Sequence, residues 1–112
     1  MRKATIKRFT APDYSGTEAI NTICTNLSFS GRNCKRIAFT SYMPGAGKTY
    51  ISINVLYNLA KRGKRVLLVD ADLRRSNIVS RLRMETDGEM LGLAHYLAGH
   101  CKLDDCIYET NL

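Results

Sequence analysis

The chain has 112 residues, room for one domain at most. Its 45% hydrophobic and 24% charged content is that of a globular protein, and no apolar run approaches the roughly 20 residues needed to span a bilayer. The formal charge of +7 lies in short basic clusters without interleaved aromatics, which suits phosphate ligands and solvated helix ends, so no nucleic-acid partner is expected. The basic start has no apolar stretch behind it to form a signal peptide, and a cytoplasmic location is expected.

In chain order, residues 1–14 are polar and basic and are expected to form an extended or loosely ordered arm, with a partial domain over residues 15–112. Ser15-Gly16-Thr17-Glu18 has the form of a capping box at a helix start. Ile20, Ile23, Cys24 and Leu27 follow at helical spacing. Asn26, Ser28, Ser30 and Gly31 end that helix, and residues 31–35 form a turn. Arg36 to Thr40 is expected as a strand, and Tyr50 to Arg62 as a helix with Ile51, Val55 and Leu59 on one face and Gly63 as its C-cap. Arg65-Val66-Leu67-Leu68-Val69-Asp70 is a continuous apolar run ending in an acid, as in a parallel strand buried on both faces. Short helices are expected near Asn77–Met84 and Leu91–Gly99, with a turn at Thr86–Glu89 and a polar segment after Leu103.

The stretch between the first strand and the Tyr50 helix carries the chemistry. Pro44-Gly45-Ala46-Gly47-Lys48-Thr49 is a tight glycine loop that ends in Lys-Thr at a helix start. Backbone N–H groups and the helix dipole favour a phosphate there. Lys48 is placed to reach the β and γ phosphates and Thr49 to hold Mg²⁺. The formal phosphate-loop pattern is incomplete, because its first glycine falls on Tyr42. An ordinary glycine-rich turn is the plain alternative.

Asp70 and Asp72 sit where the second strand would end. In a doubly wound sheet that is the carboxyl edge, beside the phosphate loop. Two acids there suit hydrated Mg²⁺, and one could take a proton from an attacking hydroxyl. Alternatively they cap the next helix and pair with Arg74 and Arg75. Lys48, Asp70 and Asp72 are thus the candidate catalytic residues, and Thr49, Asp70 and Asp72 the candidate metal ligands. Of the four cysteines, Cys24 and Cys34 stand alone and Cys101 and Cys106 are spaced C-x4-C; free thiols are expected.

These residues resemble a bacterial tyrosine kinase of the capsular and exopolysaccharide type, within the P-loop NTPases. The resemblance rests on Thr25-Asn26-Leu27-x-Phe29-Ser30, on Thr40-Ser41-x-x-Pro44-Gly45-Ala46-Gly47-Lys48-Thr49, on Gly63 to Arg75, and on Gly92-Leu93-x-x-Tyr96-Leu97-Ala98-Gly99. It implies an α/β fold with a three-layer parallel sheet and helices on both faces. It also implies ATP and Mg²⁺ as cofactors, an autophosphorylating protein-tyrosine kinase activity, and a membrane adaptor that holds the protein at the inner face of the membrane. Asp72 would take the acceptor-side role. The ParA/MinD branch of switch ATPases places a lysine where this chain has Met43. Three departures stand out. Asn21 and Cys24 replace two family arginines linked to self-association, and Tyr108, with Tyr96 before it, stands in place of a terminal tyrosine cluster. The family's third motif, whose Asp completes the Mg²⁺ site, would fall after Leu112. The chain is therefore expected to be an incomplete, N-terminal piece of such a kinase with impaired activity; a non-catalytic, partner-binding remnant is the further alternative.

Overall fold

The computed structural model describes residues 1–30, 34–42, 47–74 and 77–112. The fold is α/β, and the chain divides into two compact units, Met1–Thr10 with Val69–Leu112, and Ala11–Leu68.

The second unit is built on two helices. Helix α1 spans Tyr14–Ser28 and helix α2 spans Lys48–Lys61. The start of α1 differs from the expected capping box. Asp13 is the N-cap, and its carboxylate accepts the Gly16 N–H at 2.7 Å, which puts Ser15 inside the first turn. A charged acceptor beside the positive end of the helix takes the capping role. Farther along, the apolar spacing works as expected. Ile20 and Cys24 from α1 and Val55 from α2 form the buried cluster, with Ile23, Leu27, Phe39 and Leu59 packed around it. Asn58 Nδ2 donates to Asn21 Oδ1 at 2.7 Å across the same contact.

Helix α2 starts at Lys48, two residues earlier than expected, and its far end is as expected. Gly63 follows the C-cap Arg62 with φ +87°. The Lys64 N–H donates to the Leu59 carbonyl and the Gly63 N–H to the Ala60 carbonyl, at 3.1 and 3.0 Å. This pair of bonds is the Schellman closure, and it needs a left-handed residue at Gly63. Ile51, expected on the apolar face, is exposed, whereas Ser52 and Asn54 are buried. Both polar side chains are satisfied by their own helix: Ser52 Oγ donates to the Thr49 carbonyl and Asn54 Nδ2 to the Tyr50 carbonyl.

The first unit holds the sheet. Strand β1 (Arg2–Ile6) lies between β2 (Met84–Thr86) and β3 (Tyr108–Thr110). It runs antiparallel to β2, with Ala4 opposite Thr86, and parallel to β3, with Ala4 opposite Thr110. The basic arm is thus the central strand of a mixed sheet, with Ala4 buried at its middle. Arg2 fastens it by donating to the carbonyls of Asp87, Glu89 and Asp105 and to the Tyr108 hydroxyl. Two short helices, α3 (Ile78–Arg81) and α4 (Leu93–Leu97), and a 3-10 turn at Leu103–Cys106 complete the unit. Gly99 ends α4 with φ +78°, as the sequence suggests. At its start His95 Nδ1 accepts the Gly92 N–H at 3.0 Å.

The expected strands at 36–40 and 65–70 are not strands, and neither joins the sheet. Leu67 is 63% exposed and Val69 60%. The reason lies in the difference between the two kinds of element. A helix satisfies its own backbone, while a strand needs a neighbour for its N–H and C=O groups. Apolar composition supplies the tendency but not the neighbour.

Candidate functional site

Gly47, Lys48 and Thr49 belong to the second unit, and Asp70 and Asp72 to the first. Pro44, Gly45 and Ala46 lie outside the described residues, as do Met43 and Arg75. Gly47, Lys48 and Thr49 are described, at the start of α2. Gly47 is the N-cap, with φ 83° and ψ 15°. This left-handed conformation favours glycine and turns the chain sharply into the helix. A Cβ built on Gly47 would meet nothing within 4 Å, so the requirement for glycine here comes from the backbone angle and not from crowding.

The first helical bond runs from the Ile51 N–H to the Gly47 carbonyl at 2.9 Å. The N–H groups of the turn before it have no partner within the helix. Gly47 brings no side chain to them, and the first turn contains no acid. What remains at this end is a set of backbone donors, the helix dipole, the exposed Lys48 ammonium and the half-buried Thr49. Backbone donors, a helix dipole and a lysine suit a polyphosphate, and a threonine hydroxyl is a hard oxygen donor.

Asp70 and Asp72 meet at one turn in the other unit. The Asp72 N–H donates to Asp70 Oδ1 at 3.2 Å, and the Leu73 N–H donates to the Ala71 carbonyl at 3.1 Å. Asp70 is half-buried and Asp72 exposed. They do not start a helix, because α3 begins at Ile78. Two carboxylates in so short a turn suit a divalent cation. Among the described residues no group of three His, Cys, Asp or Glu side chains converges on one point.

Several departures in the sequence acquire a structural role. Asn21 and Cys24 face α2. Asn21 holds Asn58 and also accepts Arg62 Nη2 on its backbone carbonyl at 3.3 Å, while Cys24 is fully buried with its thiol 3.7 Å from the Val55 carbonyl. Burial raises the Cys24 thiol above the ordinary range, partly opposed by Arg62. Tyr108 is also committed. Its hydroxyl donates to the Leu91 carbonyl at 2.9 Å and accepts from the Leu91 N–H at 2.8 Å and from Arg2 at 2.9 Å, with the guanidinium 5.0 Å above its ring. Nothing local announces these pairings, since Arg2 and Tyr108 are 106 residues apart.

Comparison with known proteins defines the class first. The family model described as an AAA domain matches residues 34–112, and the chain belongs to that family of P-loop NTPases. Its relatives are more particular. It is 41% identical over 95 residues to the tyrosine-protein kinase CpsD of Streptococcus agalactiae, covering 85% of this chain and 41% of that protein. It is 32% identical over 104 residues to the tyrosine-protein kinase YwqD of Bacillus subtilis, covering 91% of this chain and 43% of that one. An uncharacterised ATP-binding protein of Methanocaldococcus jannaschii is 42% identical over 73 residues, which are 65% of this chain and 27% of that protein. The chain thus spans about two fifths of the length of the kinases it matches. No solved structure matches it significantly. No helix among the described residues is long and apolar enough to cross a membrane.

Proposed function

We propose that this chain carries the ATP-binding segment of a bacterial protein-tyrosine kinase that regulates capsular or exopolysaccharide synthesis. The observation that carries the reading is the start of α2, where a left-handed Gly47 leads into Lys48 and Thr49 with the first-turn N–H groups uncapped by any acid. The kinase names of the two bacterial relatives supply the reaction class, and they do not favour the switch-ATPase or remnant alternatives.

In this reading the backbone of Pro44 to Thr49 binds the ATP phosphates, Lys48 neutralises the charge that develops on the transferred group, and Thr49, Asp70 and Asp72 hold Mg²⁺. The bound ion supplies charge neutralisation on the phosphate oxygens. Asp72 serves the acceptor side, orienting a tyrosine hydroxyl and taking its proton. Such transfer depends mostly on positioning, so it calls for every ligand to be in place at once. The protein acts in the cytoplasm at the inner face of the membrane, with a membrane adaptor as partner. Asn21 and Cys24 are occupied by α2, which argues against a self-association surface of the arginine type on that face of α1.

Two measurements test this. Titration with a fluorescent ATP analogue and Mg²⁺ is expected to show binding that Lys48→Ala weakens at least about tenfold, roughly 1.4 kcal/mol; equal affinity would sink the nucleotide reading. Transfer of label from γ-labelled ATP to tyrosine, with adaptor present, tests the kinase reading. ATP hydrolysis without phosphotyrosine would replace it by a switch ATPase.

A further inference from the structure

The positive charge of the chain is gathered in the second unit. Between Glu18 and Asp70 there are eight lysines and arginines and no acid. Four of them, Lys61, Arg62, Lys64 and Arg65, sit together at the end of α2, and all four are exposed. The helix accounts for the first two. Lys61 and Arg62 complement the negative end of the dipole, and Arg62 reaches back to α1, donating to the Asn21 carbonyl and to Thr25 Oγ1 at 3.3 and 3.5 Å. Lys64 and Arg65 are different. The closure at Gly63 uses only the backbone of Lys64, and nothing of Arg65. Neither residue is in an ion pair among the described residues.

Apolar side chains continue the same segment. Val66 and Leu67 come directly after Arg65 and are 40% and 63% exposed. Asn21 meets Asn58 while Cys24 meets Val55, so α1 and α2 run in opposite directions and the first turn of α1 lies toward this end. Tyr14 begins α1 and is 81% exposed. The acids of the unit are Asp13, whose carboxylate caps α1, and Glu18. A soluble anion would use the cations alone. An anionic bilayer uses both kinds of group: its headgroups attract the cations, aliphatic side chains enter the acyl boundary, and a tyrosine ring suits the level between. We propose that the end of the helix pair carrying Lys61, Lys64, Arg65, Val66 and Leu67 docks directly on an anionic phospholipid surface. A nucleic acid would match the charge and leave Val66 and Leu67 in water.

This surface uses none of the nucleotide residues. Gly47, Lys48 and Thr49 are at the opposite end of α2, whose 14 residues place them roughly 20 Å away along the helix axis. The start of α2 is therefore left clear of the lipid, and the contact needs no adaptor. The two kinds of group act differently. The cations draw the unit to the surface over about a Debye length and are weakened by salt, whereas the aliphatic side chains hold it there once it arrives.

The test uses the whole chain without nucleotide, so that its outcome and that of the ATP titration are independent. The chain is sedimented with vesicles of phosphatidylcholine, or of equal parts phosphatidylcholine and phosphatidylserine. Binding is expected to the mixed vesicles and not to pure phosphatidylcholine, and it is expected to weaken as sodium chloride is raised. Lys64→Ala and Arg65→Ala are each expected to weaken it about fivefold. Leu67→Ser is expected to weaken it about tenfold. Circular dichroism of all three is expected to match the parent, since these side chains are exposed. Lys7→Ala, in the other unit, is expected to leave binding as it is. Equal binding to both kinds of vesicle, a loss from Lys7→Ala as large as that from Lys64→Ala, or no effect of Leu67→Ser would each overturn the proposal. So would tighter binding to duplex DNA than to the mixed vesicles.

Discussion

The contact between α1 and α2 and the run from Arg65 to Asp70 are both rich in apolar residues, but they end in opposite environments. In the helix pair, Cys24 and Val55 are wholly removed from water. In the run, Val66, Leu67 and Val69 stay exposed. The difference is in the backbone. Each helix closes its own hydrogen bonds and then needs only one apolar partner face. A parallel strand needs ladder neighbours before its side chains can be covered. The sheet that does form obeys the same rule: short and polar as they are, β1, β2 and β3 persist because each has a neighbour.

That contrast can be broken by mutation. The largest loss is expected for Arg2→Ala, which removes the donor to three carbonyls and to the Tyr108 hydroxyl. About 3 kcal/mol is expected, read by urea unfolding, because a charged donor makes four bonds at once and two of them are partly buried. Val55→Ala should cost about 2 kcal/mol from lost burial and the space left behind. Tyr108→Phe should cost about 1–2 kcal/mol, mainly by leaving Leu91 groups unsatisfied. Leu67→Lys should change stability by less than about 0.5 kcal/mol, as for an exposed site. A loss as large as that of Val55→Ala would mean that the run is covered in solution, and the comparison would fail.

A pH series sharpens the helical side of the comparison. The Cys24 thiol is raised by burial, so folding favours its protonated form. Its contribution is complete below the ordinary thiol range and is lost as pH rises through the higher folded value. Urea midpoints should therefore fall more at strongly alkaline pH for the parent chain than for Cys24→Ala. Parallel curves would show that this thiol does not contribute.

How much the sequence revealed follows the same division. The apolar spacing of Ile20, Ile23, Cys24 and Leu27 marked the buried face of α1, and Gly63 and Gly99 marked helix ends, because helical signals are local. Lys48 and Thr49 were placed at a helix start for the same reason. The sheet was not legible. Nothing within Arg2–Ile6 points to Met84–Thr86 or Tyr108–Thr110, and the basic composition of that arm argued for solvent. The expected strands failed in the converse way, since strong apolar character carries no information about a partner. Asp70 and Asp72 are expected at a strand end, whereas the Asp72 N–H meets Asp70 Oδ1 in a turn.

The central place of β1 also fixes an order of events. Its partners, Met84–Thr86 and Tyr108–Thr110, come roughly eighty and more than a hundred residues later in the chain. Loop closure over such separations is slow compared with forming a local helix pair. During synthesis the helix pair can assemble while β1 waits unpaired, and the sheet closes last. Pulsed hydrogen exchange should protect the amides of α1 and α2 before those of Lys3 to Ile6; the reverse order would show that the first unit nucleates folding.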